Sequence, residues 1–135
     1  VIEDALAFHG DGLKDPLEIL RRIGGREIAA IAGAIIAARF QRIPVLLDGF
    51  VACAAAAVLF KAEPSALDHC IAAHRSGSAA HDKLLAALGK APLLDMGIKL
   101  DDGTGAALAI GIVKAAAATH SGMTTRDKLG TLGEP

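Results

Sequence analysis

The chain has 135 residues, 53% apolar but only 3% aromatic, with no Trp or Tyr and a net charge of −1. That is one domain's worth of chain. The charge excludes a nucleic-acid groove, which needs a basic face. The apolar stretches are broken by Arg39, Arg42, Asp48 and Lys61, short of the roughly 20 residues of a membrane span.

Alanine dominates the apolar set. Small side chains let helices lie close to a sheet, but each buries little area, so a stable core needs many contacts. Cys53 and Cys70 stand apart in apolar settings and read as reduced core residues of a cytoplasmic protein. The N-terminus carries acids and no basic segment, so no secretory leader is expected. It also lacks Met, which suggests a piece of a longer protein.

In chain order, Val1 to His9 has a helical apolar stripe, ended by Gly10, Asp11 and Gly12. Asp15-Pro16 is a helix start, with Asp at the N-cap and Pro at the first position. Leu17, Leu20 and Ile23 form the face of this helix, and Gly24-Gly25 stops it. Arg26 to Arg39 predicts a helix apolar almost all round, hence buried on more than one side. Gly33 in its middle suggests close contact with another backbone.

Ile43 to Phe60 is the organising stretch. After Pro44, Val45, Leu46 and Leu47 suit a strand buried on both faces, as in a parallel sheet. Asp48-Gly49 then turns into an Ala-rich helix. Strand, turn and helix make a βα unit, whose ligands sit at the carboxyl end of the strand. Asp48 and Gly49 are therefore at a ligand's place, with helix N–H groups behind them that suit a phosphate. The plain alternative makes Asp48 the N-cap of its own helix.

Ser65 to Asp68 suggests one turn of helix, and Cys70 to Ala73 a second strand. It runs into His74-Arg75-Ser76-Gly77-Ser78, a second candidate ligand loop in which Ser76 and Ser78 can bond a phosphate. Ala79 to Leu88 predicts a helix. Pro92 to Leu100 is either a strand or an irregular crossing segment. Asp101-Asp102-Gly103-Thr104-Gly105 is a third candidate loop, neither a Walker loop nor a dinucleotide fingerprint. Ala106 to Ala118 predicts a long apolar helix, and Ser121 to Pro135 a loose tail or the start of a further segment. His69, His74 and His81 lack the spacing of a zinc motif. The alternation of two or three strands with helices predicts a three-layer, Rossmann-like parallel α/β sheet with Ala-rich helices, part of a larger domain.

The stretch GGREIAAIAGAIIAARFQRIPVLLDGFVACAAAAVL, Gly24 to Leu59, resembles the nicotinate-nucleotide–dimethylbenzimidazole phosphoribosyltransferases of cobalamin synthesis. ALDHCIAAHRS, PLLDMGIKL and DGTGAALAIGIVKAAA resemble the same family in the same order. The resemblance covers about Asp15 to Met123 and points to the C-terminal part of such an enzyme. The family's upstream Gly-Glu-Met-Gly-Ile-Gly-Asn-Thr-Thr motif has no counterpart in these residues.

The resemblance implies transfer of phosphoribose from nicotinate mononucleotide to 5,6-dimethylbenzimidazole, in a homodimer with no metal or organic cofactor. Residues 1–120 would belong to the α/β domain, and 121–135 to a tail or the start of a small helical domain. Asp48 and Gly49 match the family's strand-end turn at the nucleotide site, and Ser76 a serine of the phosphate-binding loop. Phe50, Leu100 and Asp101 join them as expected substrate contacts. The family's base is the glutamate of a Gly-Glu-Gly-Thr/Ser-Gly motif. Asp102 falls on it, one methylene shorter. The alternative reading is an inactive fragment, or a module binding a nucleotide or a partner chain.

Overall fold

The computed structural model of the chain describes residues 1–100 and 102–124. The helix α1 spans Ile2–His9, and a 3₁₀ turn leads to α2, Pro16–Ile19. Asp15 caps α2 as expected: its carboxylate accepts the Glu18 N–H at 2.9 Å, filling one orphan donor of the first turn. A π-helical turn, Leu20–Gly24, continues α2. Gly25 then takes a positive φ of 78° and opens α3, Gly25–Phe40. Glu18 also bonds Arg21 and Arg22, which hold its carboxyl down to about 2.

The strand β1, Val45–Leu47, passes through Asp48 into α4, Gly49–Ala62. A 3₁₀ turn at Pro64–Leu67 precedes β2, Cys70–Ala72. The two strands pair in parallel, with Val45 opposite Cys70 and Leu47 opposite Ala72. A parallel pair needs a crossover, and α4 is that crossover. The α/β expectation is met by a small two-stranded parallel sheet among many helices.

After β2 come α5, Ala79–Ala87, and α6, Thr104–Gly122. The segment between them is irregular. It adds one parallel bridge, His74 to Leu94, and the Leu93 and Leu94 amides donate to the Ala72 and Ala73 carbonyls. At the other end, α6 runs two residues into the stretch expected to be a tail. Thr119 and Ser121 donate their hydroxyls to the carbonyls of Ala115 and Ala117, so both polar side chains are satisfied within the helix. Residues 125–135 lie outside the described residues.

The core lies between α3, α4, α5 and the sheet. Ala32 and Ile35 of α3 pack with Cys53, Ala56 and Leu59 of α4, Leu47 and Cys70 of the strands, and Leu85 of α5. His69 ties the start of β2 to α3, with Nε2 bonded to the Ile35 carbonyl at 3.0 Å. Cys53 and Cys70 are buried cysteines, and burial pushes the Cys70 thiol up.

Two expectations for α3 fail. Only Ala32 and Ile35 of this helix are buried, while Ile36 is 40% and Phe40 86% exposed. The Ala-rich run was apolar all round because alanine carries little directional pattern. Among the described residues Gly33 meets nothing within 4 Å of where a Cβ would stand, so it marks no close backbone contact there. The half-exposed Leu108, Ile110 and Ile112 show that α6, too, is apolar beyond the face it buries.

Because alanine fills the closest-packed part of the core, added volume there is costly. Ala56→Leu places a large side chain where the native methyl is wholly buried. It should destabilise the chain by about 1–3 kcal/mol. The same change at exposed Ala116 should stay within about 0.5 kcal/mol. Urea midpoints at unchanged slope check the pair.

Candidate functional site

The carboxyl ends of β1 and β2 open on one edge, and the loops that follow them meet there. A pocket of about 460 Å³ is lined by Phe50, Ser76, Gly77, Ser78, Ala80 and Lys99. That volume lies within the range of small-molecule sites, about 300–1,000 Å³. The lining brings together Phe50 and Ser76 among the expected contacts. Asp48, Gly49, Leu100 and Asp102 stand outside it, and Leu100 is exposed. Asp101 lies outside the described residues.

Ser76 is held by a histidine. The wholly buried His81 accepts the Ser76 N–H at Nδ1, at 3.2 Å. The Ser76 hydroxyl lies 2.9 Å from the same nitrogen. A nitrogen that accepts an N–H carries no proton, so the hydroxyl donates as well. His81 is the third residue of α5, with Ser78 at the N-cap. A polar third residue reaching back to upstream backbone is the logic of a capping box. The ring of Phe50 meets His81 edge-on, with centroids 6.4 Å apart.

Arg75, next to Ser76, is held by two carboxylates. It donates to both oxygens of Asp82, at 2.7 and 2.6 Å, and to Asp95 at 3.2 Å. These bonds push the guanidinium up and hold the Asp82 carboxyl below its usual range. The fork fastens the phosphate-suited loop to α5 and to the irregular segment. Lys99 is the pocket's cation and was not singled out in the sequence. The signal available was its place three residues before Asp102, in the segment that must cross the site.

Asp48 does not cap its own helix. Among the described residues α4 has no side-chain cap. Instead Oδ2 accepts the Gly103 N–H at 2.9 Å and Oδ1 the Ala106 N–H at 2.7 Å. The carboxylate thus caps α6, whose first amides would otherwise be orphaned. Asp102 accepts the Thr104 N–H at 3.0 Å. The Thr104 hydroxyl and then its N–H hold the Asp102 carboxyl below the usual aspartate range.

His74 is wholly buried beside this cap, its Nε2 3.4 Å from the Asp48 carboxylate. The pair is in contact without a hydrogen bond. His74 and His81 meet edge to face, with ring centroids 6.3 Å apart, while His69 is bonded to the Ile35 carbonyl. Among the described residues no three His, Cys, Asp or Glu side chains are placed to hold a metal ion. Nor is any helix of the described residues long and apolar enough to cross a membrane.

A family model described as a phosphoribosyltransferase matches residues 1–130. The chain belongs to this phosphoribosyltransferase family. It is 66% identical, over 124 residues, to the nicotinate-nucleotide–dimethylbenzimidazole phosphoribosyltransferase of Rhizobium johnstonii, covering 92% of this chain and 37% of the relative. It is 62% identical over 133 residues to the protein of that name from Rhizobium etli, covering 98% and 39%. The crystal structure of the Thermus thermophilus protein of that name superposes with a TM-score of 0.87. Its identity is 38%, over 98% of this chain and 40% of that one. The chain thus spans about two fifths of the length of these relatives.

The Arg75–Asp82 pair makes a pH prediction. The Asp82 pKa is lowered by folding, chiefly by the Arg75 hydrogen bonds. Its contribution is therefore complete above the usual aspartate value of 3.8 and disappears as pH falls through the lower folded value. The melting temperature of the native chain should fall more steeply than that of Asp82→Asn between about pH 5 and pH 2. Thermal melts across that window measure it.

Proposed function

We propose that this segment forms the nucleotide end of an active site that transfers phosphoribose from nicotinate mononucleotide to 5,6-dimethylbenzimidazole. The products are α-ribazole 5′-phosphate and nicotinate, in synthesis of the cobalamin lower ligand. The carrying observation is the pocket between the two strand-end loops, within a chain of the phosphoribosyltransferase family. Gly77, Ser78 and the first amides of α5 offer donors, and Lys99 a positive charge, as a phosphate requires, while Ser76, its own donors held by His81, shapes the loop. Phe50 supplies a flat apolar wall.

The chemistry needs little more than that. One benzimidazole nitrogen attacks the anomeric carbon. The bond from that carbon to nicotinate breaks, and its electron pair goes to the pyridine nitrogen, quenching the positive charge that made nicotinate a leaving group. The proton on the other benzimidazole nitrogen goes to a carboxylate, and Asp102 is the candidate. At the strand-end turn Gly49 is the substrate contact we propose, since backbone amides take both Asp48 oxygens; Leu100 and Asp101, before the base, complete the set. Positioning two flat rings about one ribose carbon supplies most of the remaining acceleration. The wider architecture we propose is a three-layer Rossmann-like sheet in a cytoplasmic homodimer. The parallel β1–β2 pair, crossed over by α4, supports its sheet.

One observation favours a second reading, a binding module without turnover. Asp102 is already engaged by Thr104 as a helix-start residue, which lowers its basicity. Asn serves that capping role as well as Asp. In the full-length enzyme carrying this sequence, Asp102→Asn should lower kcat by about 10²–10⁴-fold if Asp102 is the base. Asp102→Glu should keep or raise the rate. Chromatography of α-ribazole phosphate gives both rates, and near-native turnover by the Asn variant would establish the capping role alone.

A further inference from the structure

The carboxylate of Asp48 is only 14% exposed, and both its oxygens are taken. The two amides it holds belong to residues 55 and 58 positions further along the chain. They lie on either side of Thr104 and Gly105, in the turn that follows Asp102. Gly103 in that turn has a φ of 92°, a left-handed conformation that a side chain resists.

The same turn is also blocked by His74. A Cβ built on Gly105 would stand 2.0 Å from Cδ2 of His74 and 2.6 Å from its Cγ. The His74 ring is wholly buried, so it has no open space to swing into. Among the described residues its Nδ1 and Nε2 have no hydrogen-bond partner. A buried imidazole without hydrogen bonds is costly. Its place is explained by shape: it fills the space under Gly105 and lies against the Asp48 carboxylate. The carboxylate on two amides and the ring against Gly105 together restrain the backbone from Gly103 to Ala106.

We propose that Asp48 is a positioning residue of the transfer reaction: through the Gly103 and Ala106 amides, and with His74 wedged against Gly105, it fixes the turn that presents Asp102. This rests on the reading of Asp102 as the base. Asp48 then acts through the backbone of another loop, not by contact with the nucleotide. A base must come within about 2.6–3.2 Å of its proton, so slack in this turn lowers turnover while substrate binding persists.

The test uses the full-length enzyme with Asp48→Asn, which keeps size but turns one acceptor into a donor facing an N–H. We expect kcat to fall at least tenfold, with KM for nicotinate mononucleotide and for 5,6-dimethylbenzimidazole within about twofold. Amide hydrogen exchange should accelerate at Gly103 and Ala106 and stay native at core residues such as Leu59 and Ala72, which also reports that the variant folds. If Asp48→Asn does not fold, Asp48→Glu carries the same measurements, since it keeps the charge and shifts the oxygens. Unchanged exchange at both amides overturns the inference, as does a raised KM for the nucleotide at native kcat. Asp102→Asn is measured alongside. If that variant turns over normally, the base assignment fails, and the exchange at Gly103 and Ala106 alone decides whether the clamp exists. If Asp102→Asn is inactive and Asp48→Asn is not, the positioning role fails on its own.

Discussion

One carboxylate joins the end of β1 to the start of α6, and the arrangement of the site depends on it. A helix start carries unpaired N–H groups and a partial positive charge. Left to water, the first turn of α6 could sit at many angles to the sheet. Asp48 accepts from two of its amides at once, which sets both distance and direction. The loop before α6 is then registered on the strand that ends beside the pocket. His74 comes from the end of the neighbouring strand, so the paired strands hold the turn from two sides.

The rest of the site is held the same way, by side chains spent on backbone and on each other. His81 takes both the N–H and the hydroxyl of Ser76. Arg75 is spread over Asp82 and Asp95. Small core residues make this necessary. Alanines at 55 and 56 let α4 lie close within the core, but they interlock weakly with their neighbours. Directional bonds at the sheet edge supply the geometry that bulky side chains supply elsewhere. The pocket is left with Phe50, an alanine, two serines, a glycine and one lysine, which suit a flat ring and a phosphate.

What the sequence made legible follows from range. Asp15-Pro16 caps α2 because the cap needs only residues three apart. Val45 to Leu47 is the strand expected, because an unbroken β-branched and aliphatic run ahead of Asp-Gly has few other solutions. Phe50 and Ser76 share a pocket because parallel strands open on one edge. Asp48's partners were out of reach: no local pattern points to amides more than fifty residues away. The reading of Asp48 as a cap was right in kind and wrong in helix. Likewise α3 misled, since alanines all round a helix do not say which face is covered. His81 was legible in principle, as the third residue of a helix behind Ser-Gly-Ser, but was weighed only as a metal ligand.

On the proposed chemistry, the exchange of glutamate for Asp102 turns on reach more than on basicity. Thr104 lowers the carboxyl's affinity for a proton. Yet the proton to be taken grows more acidic as the attack proceeds, because the benzimidazole ring gains positive charge as its nitrogen bonds to carbon. A weak base is then enough, provided it is near. Nearness is what the missing methylene removes: about one C–C bond, ~1.5 Å, against a working range of about 0.6 Å for a proton acceptor. A longer glutamate can find its place by rotating about its own bonds. A short aspartate bound to the backbone of Thr104 moves only with the turn that carries it. Such a turn must be set in position by its surroundings, and the surroundings that touch it here are Asp48 on its amides and His74 beneath Gly105.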